Sequence, residues 1–211
     1  MSRFGRYHAP DDRDRKFALP VGAGKLPRSK HWRRGKRVFQ GDTPRCVGYS
    51  GANWALGYPI AQYVNPDGLY TLAQFLDEWE GTDYDGTSVR AGAKVLAELG
   101  FIREYRWGFS IDAVLEALLT KGPIWLGTDW LRGMDEWDAD GVIRATGRTA
   151  GGHAWIADGY DRRTGLVRGI TSWRDFGLDR AGGLWLPAED LEKLLERDGE
   201  ACLPIEARPK L

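Results

Sequence analysis

Two cysteines in 211 residues are too few for a disulfide framework, and three histidines leave little from which to build a zinc site. The charges cancel, 30 Lys and Arg against 30 Asp and Glu, so no overall field directs the chain to nucleic acid or to an anionic membrane. No apolar run approaches the ~18 residues of a membrane span. Residues 1–16 are polar and charged, without the apolar stretch of a secretory signal. These absences lead us to expect a monomer in a reducing, cytoplasmic setting, with neither membrane nor nucleic acid as partner. The charge is uneven along the chain: Lys25 to Arg37 holds seven basic residues, whereas Asp77–Asp85 and Asp129–Asp140 are acidic. We read these as solvated faces of one domain.

Residues 1–19 are rich in Arg, Asp and Pro with no apolar period, which predicts a loose, flexible N-terminal arm ahead of one domain over 20–211. The first half of that domain has helical periodicity. Cys46–Leu56 is entered through Thr43-Pro44, and Leu69–Glu80 places Leu69, Leu72, Phe75, Leu76 and Trp79 on one face. Ser88–Leu99 follows a capping Thr87, and Ile111–Thr120 follows a capping Ser110. The second half changes period. Ile124–Trp130, Val142–Thr146, His153–Tyr160, Leu166–Trp173 and Leu184–Leu186 are short apolar or alternating runs between Gly and Asp turns, and read as an antiparallel sheet. Ala188–Arg197 predicts a late helix and Ala201–Glu206 a returning strand. Helices followed by strands define an α+β fold with two lobes, whose cleft would bring Cys46 against His153.

That juxtaposition suits thiol chemistry. A nucleophilic sulfur needs a basic partner, a donor aimed at the developing oxyanion and a general acid for the leaving group. Cys46 opens a helix, whose N-terminus favours thiolate, and His153 in Gly151-Gly152-His153-Ala154-Trp155 supplies the base. Gln40, six residues before Cys46, can supply the donor. We therefore expect Cys46 to be a partly exposed, low-pKa thiolate and Cys202, among apolar neighbours, to be an inert buried thiol.

From Phe39 to Ile205 the chain resembles the papain-like cysteine peptidases, more closely the short bacterial and phage form without a propeptide. The resemblance rests on Gln40-x5-Cys46 and on Asp85-Gly86-Thr87-Ser88-Val89-Arg90 ahead of a helix. It also rests on Gly122-Pro123-Ile124, on Gly151-Gly152-His153-Ala154 running into Gly159-Tyr160-Asp161, and on Thr171-Ser172-Trp173 before Gly182-Gly183. It implies a two-lobed fold with a helical N-terminal lobe, a sheet or barrel C-terminal lobe and an interlobe cleft. It implies hydrolysis of peptide bonds through a Cys46 acyl-enzyme, with His153 as base and then acid. Gln40 and the Cys46 N–H would hold the oxyanion. Gly86 and Gly152 would lie along an extended peptide or protein substrate, and Trp173 would cover the far side of His153. No metal or organic cofactor is implied, and a phage origin would place the protein in a host cell.

The chain departs from that pattern at two places. Thr171 stands where the family's orienting Asn should fall, and Arg174 replaces a Gly. Thr171 could offer its hydroxyl oxygen to the imidazole, and Asp175 is a second candidate. The loss of Asn leaves open a catalytically weak or inactive peptide- or protein-binding module, and the same site could serve acyl transfer or cleavage of isopeptide or peptidoglycan amides. Thr43 occupies the place of the family's usual cysteine near the nucleophile. Elsewhere, His8 and His31 read as surface residues, and Gly22-Ala23-Gly24-Lys25-Leu26 lacks the spacing of a phosphate loop. Glu136–Gly141 lacks the ligands of a calcium loop, and the ten Trp read as core or cleft lining.

Overall fold

The computed structural model describes residues 3–22 and 24–207, with the helices gathered in the first half and the strands in the second. Two short strands, β1 (Arg6–Tyr7) and β2 (Ser29–His31), precede α1 (Cys46–Leu56), α2 (Pro66–Leu76), the two-residue β3 (Thr87–Ser88) and α3 (Val89–Glu98). Then come β4 (Ile102–Trp107), α4 (Ile111–Thr120), β5 (Ile124–Leu131), β6 (Thr149–Asp161), β7 (Leu166–Ile170), β8 (Gly183–Pro187), α5 (Ala188–Glu196) and β9 (Glu200–Glu206).

Capping chemistry sets the helix bounds. Asn65 accepts from the N–H groups of Asp67 and Gly68, with Pro66 in the first turn, so α2 starts and ends earlier than its apolar spacing suggests. Ser88, not Thr87, caps α3 by accepting from the Ala91 N–H, while the Thr87 hydroxyl donates to Asp77. Ser110 caps α4 as expected. Helix α1 is different in kind: nine of its residues are buried, as befits a helix packed on several sides. Its Gly51 and Gly92 of α3 admit the Trp125 ring, since a Cβ at either would lie 2.5 Å from that ring.

The sheet runs β4-β9-β5-β6-β7-β8, with β2 on β6, all antiparallel and with no closure into a barrel among the described residues. Strands β5 and β6 form its centre and carry unbroken apolar runs because both of their faces are covered. Trp125, Ala154 and Ile156 point into a core shared with α1, α2 and α3. Leu126, Trp155 and Ala157 point into a second core shared with α4 and α5. The period-2 alternation of two strands thus builds two lobes.

Three expectations need correction. Val142–Thr146 is not a strand; a single bridge joins Val142 to Trp185 through the Ile143 N–H and the Gly141 carbonyl, and beyond it the Ala145 N–H bonds Asp190. Strand β4, a charged segment without clean alternation, went unseen and pairs with β9. Finally, the N-terminal arm is docked rather than loose. Strand β1 pairs in parallel with β3, and a short 3-10 turn (Asp12–Phe17) is held by Arg90, which bonds the Ala9 carbonyl at 3.0 Å and the Asp14 carboxylate. Buried cation–carboxylate pairs are invisible to a reading based on apolar period.

Candidate active site

Helix α1 begins at Cys46 itself and packs on β6, so the first turn of the helix meets the strand residue after His153. The Cys46 sulfur faces the backbone amides of Ala154, Gly5 and Val47. Cys46 and His153 are both fully buried. The His153 ring stacks on Trp173 with centroids 4.1 Å apart, and Phe4 and Trp130 stand edge-on to it at 6.4 and 5.3 Å. Neither His153 nitrogen has a hydrogen-bond partner among the described residues.

The lid over this site is the arm. The Gly5 N–H donates to the Gly152 carbonyl at 3.1 Å, and the Gly5 carbonyl accepts from the Thr87 N–H at 3.0 Å. One residue back, the Arg3 carbonyl accepts from Gln40 Nε2 at 2.9 Å, and the Arg3 guanidinium lies over the Trp173 ring at 4.6 Å. Glycines make the passage possible. A Cβ on Gly152 would come within 2.1 Å of the Arg6 carbonyl, and one on Gly5 within 1.8 Å of the Pro44 carbonyl.

The arm seals the electrostatics as well as the space. Burial pushes the Cys46 thiol up to about 11, only partly offset by the surrounding amides. Burial and the Arg3 charge push His153 down to about 3. With the arm in place the pair is therefore a neutral thiol and a neutral imidazole. This corrects the expectation of a partly exposed, low-pKa thiolate: the helix N-terminus is there, but desolvation by burial outweighs it. Cys202 is buried with its thiol pushed well above the ordinary range, as expected of an inert sulfur, and neither cysteine is in a disulfide.

Of the other residues singled out by sequence, Gln40 is tightly oriented. Its Oε1 accepts from Ser172 Oγ at 2.6 Å, its Nε2 also donates to the Thr43 carbonyl, and its backbone N–H bonds the Ser172 carbonyl at 3.0 Å. Thr171 is buried beside the site, but its hydroxyl accepts from the Trp173 N–H at 3.3 Å and makes no bond to His153. Gly86 has φ of +118°, and its N–H donates to the Tyr70 hydroxyl; main-chain pairing with the arm falls at Thr87 instead. A side chain at Gly86 would strike the Gly5 carbonyl. Asp175 forms a surface pair with Arg180. The sequence reading missed Arg3, Phe4, Gly5, Arg6, Ser172 and Glu200. The single useful signal was an aromatic and a glycine set between arginines at the head of a polar arm. No group of His, Cys, Asp and Glu among the described residues could hold a metal ion. No described helix is long and apolar enough to cross a membrane.

Two lobes, a cysteine at the head of the central helix and a histidine on the facing strand define the papain-like fold. No protein-family model matches the chain, and no curated protein matches its sequence. Solved structures do. Xylellain, a cysteine protease from Xylella fastidiosa, is 18% identical with a TM-score of 0.76, over 98% of this chain and 97% of that one. The digestive procathepsin L2 proteinase of Tenebrio molitor larval midgut is 15% identical with a TM-score of 0.65, over 96% and 78%. The bromelain protease of Ananas comosus, in complex with the E64 inhibitor, is 14% identical with a TM-score of 0.63, over 86% and 100%.

Proposed function

We propose that the chain is a cysteine-type peptidase acting on peptide or protein substrates, held closed by its own N-terminal arm. The observation that carries this reading is the Arg3 carbonyl on Gln40 Nε2, with Gly5, two residues on, against the buried Cys46 sulfur. The cleft binds extended main chain and offers a carbonyl oxygen an oriented amide donor, as an acyl-transfer site requires. The similar structures are themselves named as proteases, one with an inhibitor bound.

Once the arm leaves and water returns, the Cys46 proton passes to His153. The thiolate attacks the substrate carbonyl carbon while Gln40 Nε2 and the Cys46 N–H hold the oxygen. His153 then protonates the departing amine, leaving a thioester on Cys46. Water, deprotonated by His153, adds to the thioester and releases the acid and the thiol.

The test is mass analysis of a peptide library incubated with the full chain carrying Gly5→Val, which cannot keep the arm seated, with Cys46→Ala as blank. Products that depend on Cys46 are expected; their absence would defeat the reading. A second reading, peptide binding without turnover, is favoured by the bare His153 nitrogens and the turned-away Thr171 hydroxyl. Binding without products in the same experiment would select it. An added amine appearing in the products would identify acyl transfer, and amide substrates outside the peptide main chain can be compared directly.

A further inference from the structure

Helix α1, which Cys46 opens, carries a single amide side chain in its interior, Asn53. The residue is 5% exposed. Asn is a poor choice for a helix interior, because its side chain competes for backbone hydrogen bonds. Here the competition is directed at another segment. Asn53 Oδ1 accepts from the Val38 N–H at 3.0 Å, and Asn53 Nδ2 donates to the Val38 carbonyl at 2.9 Å. The two bonds copy one hydrogen-bonded pair of an antiparallel ladder, so the segment before Gln40 is fastened to the helix as a strand is to its neighbour.

The rest of that segment is built to lie there. The Tyr58 N–H donates to the Arg33 carbonyl at 2.8 Å, and a Cβ on Gly35 would come within 1.8 Å of the Leu56 carbonyl. An Arg37 Nη donates to the Thr171 carbonyl at 3.0 Å and so ties the same segment to the other lobe. Beyond it, the Thr43 hydroxyl donates to the Gln40 carbonyl at 2.7 Å. These contacts close a circuit. From Cys46 it follows α1 for two turns to Asn53, crosses to Val38, and returns through Gln40 and Thr43 to Cys46. Two turns of helix are a stiff spacer of roughly 10 Å, and the Asn53 amide is the rung at its far end.

We infer that Asn53 is a positioning residue for acyl transfer: through Val38 it fixes the place of the Gln40 amide relative to the Cys46 sulfur. The inference rests on the peptidase reading and adds a part to it. Gln40 Nε2 must stand within hydrogen-bond range of an oxygen whose carbon bonds the sulfur, and a misplacement of about 1 Å can cost ~10² fold in rate. Ser172 and the Thr43 carbonyl orient the Gln40 side chain. Asn53 holds the backbone that carries it against the nucleophile's own helix.

The test uses the full chain carrying Gly5→Val and two ligands, acetyl-Ala-Leu-glycinal and the matching alcohol. The aldehyde adds to Cys46: a sulfur–carbon bond forms, the carbonyl π bond opens, and the thiol proton passes by way of His153 to the oxygen that Gln40 faces. The alcohol occupies the cleft without that bond. In calorimetric titration, Asn53→Ala should weaken the aldehyde about 10-fold or more and the alcohol by less than about 2-fold. In a Gln40→Ala background the same substitution should add less than about 2-fold, because the group it positions is gone. Equal weakening of aldehyde and alcohol, or full additivity with Gln40→Ala, would overturn the inference and reduce Asn53 to a packing role. An aldehyde affinity that Asn53→Ala or Gln40→Ala leaves unmoved would overturn it too. Should Asn53→Ala fail to fold, Asn53→Asp, which keeps an acceptor for the Val38 N–H and loses only the donor, is read by the same comparisons. Aldehyde binding without turnover of the peptide library would sink the peptidase reading and leave this inference standing. No aldehyde binding by the Gly5→Val protein would overturn both.

Discussion

Acidification should loosen the arm through His153, by an amount that the burial of the ring determines. The imidazole's pKa is depressed from 6.5 to about 3 while the arm is seated, by desolvation first and by the Arg3 guanidinium second. Once solvated, it should titrate near its ordinary value. A depressed pKa in the closed form means that the closed form gains stability above 6.5 and loses it as pH falls towards 3. Between about pH 7.5 and about pH 4.5 the loss is roughly 2.7 kcal/mol, close to 100-fold in the closed-to-open ratio. Glu200 titrates with the arm as well, its pKa raised by burial against the lowering effects of Arg6, His8 and Arg90. The His153 contribution is therefore isolated by comparing the native chain with His153→Leu. The readout is hydrogen exchange at the Thr87 and Gly5 amides, which bond the Gly5 and Gly152 carbonyls, corrected for intrinsic chemistry. Protection in the native chain should fall with acid about 100-fold more than in the variant. Parallel pH dependence in the two proteins would refute the reasoning, because it would leave His153 uncoupled from the arm.

Displacing the arm should expose the sulfur. Gly5→Val should speed iodoacetamide labelling of Cys46 at neutral pH well beyond the native rate, in which burial holds the thiol up to about 11, while Cys202 stays unlabelled in both; peptide mass spectrometry reads the outcome. In the Gly5→Val background, Gln40→Ala should lower turnover ~10²–10³ fold, the cost of one lost oxyanion donor, with little change in melting temperature. Thr171→Asn in that background should raise kcat more than it changes KM, since an amide oxygen can reach a ring that now lacks any orienting bond. No gain from Asn would remove residue 171 from the mechanism.

What could be read from sequence, and what could not, divides by the range of the interactions. Helix α1 was placed to the residue because Cys46 to Leu56 is bounded by Thr43-Pro44 before it and Gly57 after it, all local signals. The packing of α1 against the strand that carries His153 was legible because a central helix and a doubly covered strand leave few ways to pack. Strand β4 was hidden by its charges, and Val142–Thr146 misled because apolar residues in a loop also seek the core. The arm was the deeper failure. Arg6 meets Glu200 across 194 positions, and His8 meets Asp198 across 190. Each pair counts as ordinary surface charge in a composition, and only the fold reveals that one is buried. The same partition governs the state of the site. Local sequence set the helix N-terminus that favours a thiolate at Cys46, whereas burial by the assembled fold pushes its thiol up to about 11. A nucleophile's reactivity is therefore not a property of its motif alone, and in this chain residues 3–7 pack over the motif.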